Sequence, residues 1–134
     1  MTRSYKGKRI LKMLLLAYII GLFVASALAL PGWNSFMRDS VGRILSIEQI
    51  HVLEYMGLGI IAAVCFRTPH LRWSAQVGLW GGLVLVGLCD ELFQLVLPQR
   101  SFQWSDVFLN TAGVFLGFSF FEMLLRIRRL CRLH

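Results

Sequence analysis

Residues 74–97 read SAQVGLWGGLVLVGLCDELFQLVL, a long and almost wholly apolar segment. Its only charged residues are Asp90 and Glu91, and it is long enough to cross the ~30 Å of hydrocarbon that a helix of ~20 residues spans. Carboxylates at such a depth are expensive, and they usually face a protein interior or a wet cavity. The stretch therefore predicts a membrane-spanning helix that carries a candidate functional site.

Three other apolar stretches have similar lengths and cover residues 11–30, 49–66 and 107–125. Hydrophobic residues make up 57% of the 134 residues. So short a soluble domain cannot bury this much apolar surface, whereas a membrane bundle exposes it to lipid. We therefore predict an all-α membrane protein, a four-transmembrane-helix bundle that forms a single domain over residues 1–134.

The first stretch has a second interpretation, because basic residues precede its apolar run and small residues 25–29 follow, as in a signal peptide. Its apolar run is longer than the ~7–15 residues of a signal core, which favours an uncleaved helix. Residues 31–46 then follow, with apolar side chains at helical spacing and charged ones between them. This pattern predicts a short amphipathic segment lying on the membrane surface between spans one and two.

Basic residues set the predicted orientation. The net charge is +7, and eleven of the fourteen basic residues lie on one side of the predicted spans: Arg3, Lys6, Lys8, Arg9, Lys12, Arg67, Arg72, Arg126, Arg128, Arg129 and Arg132. The positive-inside rule assigns that side to the cytoplasm. We therefore expect both termini to be cytoplasmic, and we interpret the charge as a topology signal and not as a nucleic-acid surface.

Small residues recur at four-residue spacing in three spans. They are Ala17, Gly21, Ala25 and Ala29 in the first, Gly78 and Gly82 in the third, and Gly113 and Gly117 in the fourth. Such spacing lets two helices approach closely. It predicts tight packing within the bundle and leaves a homo-oligomer open.

The alternating spans bring the unusual polar residues to one layer of the membrane. The second span begins in the outer leaflet, the third ends there and the fourth begins there again. We predict that a single ligand-binding site in this layer contains the polar residues of these ends: His51, Glu54, Tyr55, Asp90, Glu91, Gln94, Arg100, Asp106 and Asn110. Within it, Arg100 can clamp a carboxylate or a phosphate.

Each of these residues also has an ordinary structural role open to it. Asp106 suits the N-terminal end of a helix dipole, His51 can be a hydrogen-bonded interior histidine, and Asp90 with Glu91 can form an internal polar network. The spacing of Cys65, Cys89 and Cys131 suggests neither a disulfide framework nor a zinc site. We therefore predict no metal and no cofactor.

The joint spacing of these residues resembles the VanZ-like family of the teicoplanin-resistance protein. The resemblance covers about residues 47–117 and rests on HxxEYxxLG from His51, DExxQ from Asp90, PxRS from Pro98, Asp106, and NxxGxxxG from Asn110. Glu48 and Gln49 stand where the family often has an Asp-Lys pair. The resemblance implies a small bacterial inner-membrane protein linked to the cell envelope and, for some members, resistance to lipoglycopeptide antibiotics.

Four functions remain open at this point. The site can bind or shield the head group of a membrane lipid, a lipid-linked envelope precursor or a lipoglycopeptide. It can be an outer-leaflet enzyme with His51 as base, although the chain carries no recognised hydrolase or phosphotransfer motif. The acids can also serve a proton-coupled transporter, or form the polar network of an assembly subunit. The first function is favoured.

Overall fold

The computed structural model describes residues 3–28, 47–66, 71–97 and 100–131. Within these ranges the chain forms four helices and no strand: α1 (Arg3–Leu28), α2 (Ile47–Phe66), α3 (Trp73–Gln94) and α4 (Trp104–Leu130). All four are long and apolar enough to cross a membrane. The predicted four-span helical bundle is confirmed, and the chain is a multi-pass membrane protein.

Three helices differ from their predicted bounds by three residues or more. Helix α1 begins at Arg3, eight residues before the predicted start at residue 11, and so includes basic residues that precede the apolar run. Helix α3 ends at Gln94, and residues 95–97 form a turn, whereas α4 continues to Leu130 and includes Arg126, Arg128 and Arg129. A hydropathy pattern ends a predicted span at the first charged residues. Arginines in the last turn of a helix interact favourably with the helix dipole, so the helix can continue through them. The predicted amphipathic segment, residues 31–46, lies outside the described residues.

The helices pack in a ring in which neighbours in space are not always neighbours in sequence. The most extensive contact joins α2 to α4, and α1 packs against both α2 and α3, while α3 also packs against α4. At one end of the ring α1 and α3 end and α2 and α4 begin. We call this the polar end, and the opposite end the basic end.

Three glycines let α2 and α4 pack backbone against backbone. A Cβ atom on Gly113 would lie 2.5 Å from the carbonyl oxygen of Val52, and one on Gly59 would lie 2.5 Å from that of Val114. A Cβ on Gly117 would meet the carbonyl oxygen of Met56. Any side chain at these positions would push the helices apart, so the predicted packing role of Gly113 and Gly117 is confirmed.

The other small-residue patterns do not pack in the same way. In the described chain no neighbouring heavy atom lies within 4 Å of a Cβ built on Gly21, Gly78 or Gly82. Ala17 and Ala25 are exposed on α1. The expectation that these stripes mediate close helix packing is therefore wrong for the contacts among the described residues, which do not include Ala29.

The apolar core fills the middle of the ring. It comprises Leu15, Leu22, Tyr55, Leu58, Ala62, Ala63, Leu83, Val114 and Phe118. Toward the basic end, the Trp80 ring contacts those of Trp73, Phe115 and Phe118 at centroid distances of 5.3, 5.4 and 5.9 Å. Many large apolar side chains face outward, as suits a lipid environment. At the polar end, beyond this core, polar side chains take the place of apolar ones in the interior.

Candidate functional site

Five polar side chains from three helices replace apolar packing at the polar end. Each is only 0–2% exposed, and we call them the polar cluster: Tyr55 of α2, Asp90, Glu91 and Gln94 of α3, and Asn110 of α4. Burial of polar groups is costly unless each finds a partner. The hydrogen bonds of the polar cluster are therefore the first property to establish.

Asp90 joins three helices through one oxygen. Its Oδ2 accepts hydrogen bonds from the hydroxyl of Tyr55 at 3.2 Å and from Ser26 Oγ at 3.0 Å. Tyr55 belongs to α2 and Ser26 to α1, so the carboxyl of α3 lies between them. This arrangement fixes the relative rotation of the three helices at the polar end.

Glu91 points to a different neighbour. Its Oε1 accepts a hydrogen bond from Gln94 Nε2 at 3.0 Å, and its carboxyl interacts with the backbone amide of Gln103 and the carboxylate of Asp106. Both lie at the start of α4. Adjacent residues on a helix are ~100° apart, which explains why Asp90 faces α1 and α2 whereas Glu91 faces α4.

Gly87 makes room for the polar cluster one turn deeper in α3. A Cβ atom there would lie 3.2 Å from the Tyr55 ring and 3.3 Å from Asn110 Cβ. The same face of α4 presents Asn110 and the close-packed Gly113, as their spacing of three predicts. The glycines that bring the helices together thus also place Tyr55 and Asn110 beside the carboxyls.

Charged side chains form an outer layer around the polar cluster. His51, Glu54, Arg100 and Asp106 are each half-buried. His51 interacts electrostatically with Glu54, Asp90 and Glu91, and Arg100 interacts with Asp90. Asp106 lies in the first turn of α4, where the helix dipole favours an anion. The structure therefore brings all nine predicted residues to one end of the bundle, in two layers.

Five buried atoms in these two layers have no hydrogen-bond partner within the described part of the chain. They are His51 Nδ1, Asp90 Oδ1, Glu91 Oε2, and Asn110 Nδ2 and Oδ1. A buried donor or acceptor left unsatisfied costs ~1–3 kcal/mol. Native structures hold few such atoms, and each calls for an explanation. Their concentration in one place marks the polar end as the candidate functional site.

No group of three His, Cys, Asp or Glu side chains in the described ranges has the proximity needed to hold a metal ion. The donors at the polar end are instead distributed around shared hydrogen bonds. The chemistry that they offer is recognition of polar groups: carboxyl oxygens, one amide, one imidazole and one guanidinium.

Sequence reasoning missed two residues of α1. Besides the bond from Ser26 to Asp90, the Tyr18 hydroxyl donates to the backbone oxygen of Glu54 at 2.9 Å. Ser26 lies near the end of the first span, in the same layer as the predicted site, so the topology argument that located the other residues also applies to it. Tyr18 lies deeper, and no pattern in the sequence singled it out.

Comparison with known proteins identifies the family of the chain. No curated protein and no solved structure matches the chain. The model of the VanZ/LLP1 family matches residues 10–126, a range that includes all four helices in large part and every residue of both polar layers. The chain therefore belongs to the VanZ/LLP1 family.

Proposed function

We propose that this protein binds the polar head group of a cell-envelope lipid or lipid-linked precursor at its polar end. In this proposal the protein lies in the bacterial inner membrane with both termini in the cytoplasm, and the polar end faces outward. The exposed Lys8, Arg9 and Lys12 at the start of α1 and the arginines at the end of α4 support this orientation, because basic residues are retained on the cytoplasmic side.

The proposal rests on the five buried atoms that find no hydrogen-bond partner in the described part of the chain. Without partners they would together oppose folding by several times the ~1–3 kcal/mol that one such atom costs. A head group that enters between the helices would supply hydrogen bonds to all of them at once. Because these atoms lack hydrogen bonds in the folded protein, the free energy of the bonds that they form with the ligand would stabilise the complex.

The types of atom indicate the chemistry of the head group. Asp90 Oδ1, Glu91 Oε2 and Asn110 Oδ1 accept hydrogen bonds when the carboxyls are ionised, whereas Asn110 Nδ2 donates. Hydroxyl groups both donate and accept, so a sugar satisfies this mixture. A phosphate only accepts and would meet the carboxylates as a like charge, so its place is at Arg100. The best match is a saccharide joined to a phosphate.

Helix α1 is the element that must move to admit such a ligand. It has the smallest buried share of the four spans, 6%, and Ser26 and Tyr18 hydrogen-bond it to α3 and α2. In this proposal these two bonds break and α1 moves aside, which opens a path to Asp90 from the side of the membrane. Lateral entry of this kind suits a ligand that already resides in the bilayer.

The burial of the polar cluster favours a second function. Carboxyls that are 0–2% exposed and shared between helices can serve to fix one helix arrangement, with the protein acting as an assembly subunit. In that case the polar cluster needs no ligand, and its substitution changes stability only.

Native mass spectrometry of the protein in mild detergent tests the proposal. Glu91→Gln keeps the size of a polar cluster side chain but removes a carboxylate oxygen. Glu122→Gln makes the same change on the half-buried part of α4 near the basic end and serves as the matched control. We expect wild type and Glu122→Gln to retain a glycosyl phosphate lipid, and Glu91→Gln to lose it while circular dichroism still shows a folded helical protein.

The assembly function makes the opposite prediction. Wild type would carry no defined lipid, and Glu91→Gln would differ from Glu122→Gln in thermal stability alone. Retention of equal lipid by all three proteins would also contradict the proposal, since the polar cluster would then contribute nothing to binding.

A further inference from the structure

The charges at the polar end do not balance among the residues that the structure describes. The two polar layers contain the carboxyls of Glu54, Asp90, Glu91 and Asp106, and the one arginine with them in the described ranges is Arg100. Charges taken out of water are normally paired with opposite charges. Arg100 can offset one of the four carboxylates. A positively charged group is therefore the complement that the described part of this site lacks.

Glu91 lies mainly among other acids. Its carboxyl interacts electrostatically with the carboxyls of Asp106 and Asp90 and with the imidazole of His51, whereas Asp90 also interacts with Arg100. Neighbouring carboxylates repel each other, so either one of them takes up a proton or a cation lies between them. The two cases differ in the ligand that they favour, because only ionised carboxylates attract a cation.

Three buried acceptors match the three N–H donors of a primary ammonium group. Asp90 Oδ1, Glu91 Oε2 and Asn110 Oδ1 have no hydrogen-bond partner within the described part of the chain, and their side chains are 0–2% exposed. An ammonium group offers three donors and no acceptor, whereas a hydroxyl offers one donor. Hydrogen bonds between ionised groups are also roughly twice as strong as neutral ones. An ammonium group thus satisfies these acceptors better than a hydroxyl does.

The helix geometry directs these three side chains to one region. Helix α3 comes close to Asn110 at Gly87, where a Cβ atom would lie 3.3 Å from the Cβ of Asn110. Asp90 and Glu91 follow Gly87 by three and four residues, so they lie on the same side of α3, one turn nearer the polar end. Side chains on a helix lean toward its N-terminal end, which here means back toward Asn110. The three acceptors therefore border one region of the polar end.

We propose that the head group bound at the polar end carries a primary ammonium group, which Asp90, Glu91 and Asn110 hold. The inference rests on the proposed function and specifies its ligand: an amino sugar with a free amine, joined to a phosphate that binds Arg100. A metal ion matches less well, because no group of three His, Cys, Asp or Glu side chains in the described ranges is close enough to hold one.

Two synthetic lipids that differ at one group test the charge. Glucosaminyl dodecyl phosphate and glucosyl dodecyl phosphate share the same anchor, phosphate and ring, but the first carries an ammonium group where the second carries a hydroxyl. Native mass spectrometry of a titration in mild detergent, in a buffer that keeps the amine protonated, gives the dissociation constant of each. We expect wild type to bind the glucosaminyl lipid about tenfold more tightly or better, because a hydrogen bond to a charged group is stronger than a neutral one by about this factor.

Asp90→Asn tests the assigned residue. The variant keeps the shape of the side chain and one oxygen that can accept from Tyr55 and Ser26, but it replaces the unpartnered oxygen with an amide donor. We expect the preference for the glucosaminyl lipid to fall to about twofold or less, because donor then meets donor. Glu122→Gln also removes one carboxylate, near the basic end, and should keep the wild-type preference. Circular dichroism checks that both variants fold, and the wild-type comparison decides the question if Asp90→Asn does not.

The outcomes separate this inference from the proposed function. Equal binding of the two glycosyl lipids by wild type, or an unchanged preference in folded Asp90→Asn, overturns the ammonium assignment and leaves the head-group site standing. Dodecyl phosphoethanolamine carries the ammonium and the phosphate without a sugar, so binding as tight as that of the glucosaminyl lipid would support the ammonium site and overturn the sugar. Failure of wild type to bind any of the three lipids overturns the proposed function, and this inference with it.

Discussion

Helices α2 and α4 form a closely packed pair, whereas α1 packs on the outside of the bundle with little of its surface buried. The share of the span that is buried is 33% for both α2 and α4 and 6% for α1. Glycines bring the first pair into backbone contact, while α1 is attached by the Tyr18 and Ser26 hydrogen bonds, the Phe23–Phe93 ring contact at 5.8 Å and a few core leucines. The closest packing therefore lies between α2 and α4, whereas the proposed entry of a ligand to the polar cluster depends on α1, the least buried helix.

The largest expected effect comes from forcing α2 and α4 apart. Gly113→Leu places a side chain where a Cβ would already lie 2.5 Å from the Val52 carbonyl oxygen. Overpacking against backbone cannot relax by rotamer changes, so we expect a loss of about 3 kcal/mol or more in the free energy of unfolding. Thermal unfolding in detergent, followed by circular dichroism, measures it.

Gly82→Leu is the control for that substitution. Gly82 belongs to the same type of small-residue pattern, but the space around it is open in the described chain. We expect the variant to melt within a few degrees of wild type. Equal destabilisation by Gly113→Leu and Gly82→Leu would contradict the distinction between a packed and an open glycine stripe.

A comparable or smaller effect is expected from a cavity in the apolar core. Leu58 of α2 is 0% exposed and Leu85 of α3 is 59% exposed. We expect Leu58→Ala to cost ~2–5 kcal/mol, the usual range for a buried leucine. Leu85→Ala should stay within ~0.5 kcal/mol, because surrounding lipid or detergent fills the space. Similar losses in chemical denaturation of the two variants would show that the core does not lie where α2 meets α4.

The hydrogen bonds to Asp90 test how α1 is coupled to α2 and α3. Tyr55→Phe and Ser26→Ala each remove one donor to the same oxygen, and each should cost ~1 kcal/mol. Because the second loss leaves Oδ2 without either donor, the double variant should lose more than the sum of the two. Additive losses in a double-mutant cycle would mean that the two hydroxyls act independently and that Asp90 does not join α1 to α2.

The smallest effect is expected at Tyr18. The Glu54 oxygen that its hydroxyl meets also accepts the regular helix bond of α2, so Tyr18→Phe should change global stability by no more than ~0.5 kcal/mol. Its effect should be local, with faster amide hydrogen exchange in α1 and unchanged exchange in α2 and α4. Uniformly faster exchange in all helices would show that α1 unfolds in the same cooperative unit as α2 and α4.

Much of the fold could be predicted because each span is a local property of the chain. The hydrocarbon thickness sets the length of an apolar helix, so residues 49–66 and 74–97 could be placed to within a few positions. The same logic placed Glu91 and Asn110 at one end of the bundle. The stripe containing Gly113 was predicted to pack and does, but the stripe containing Gly82 was predicted in the same terms and remains open.

The four membrane-spanning helices of the described residues, their alternation and the layer that the polar residues share follow from the sequence alone, because hydropathy and helix geometry act along one segment at a time. Three features become visible only when the helices pack together: Asp90 bonds to Tyr55 and Ser26, Gln94 bonds to Glu91, and the polar cluster is buried beneath an outer charged layer. The physical reason is that these contacts depend on the rotation of each helix against its neighbours. That rotation follows from where glycines permit close approach, and no single segment contains this information.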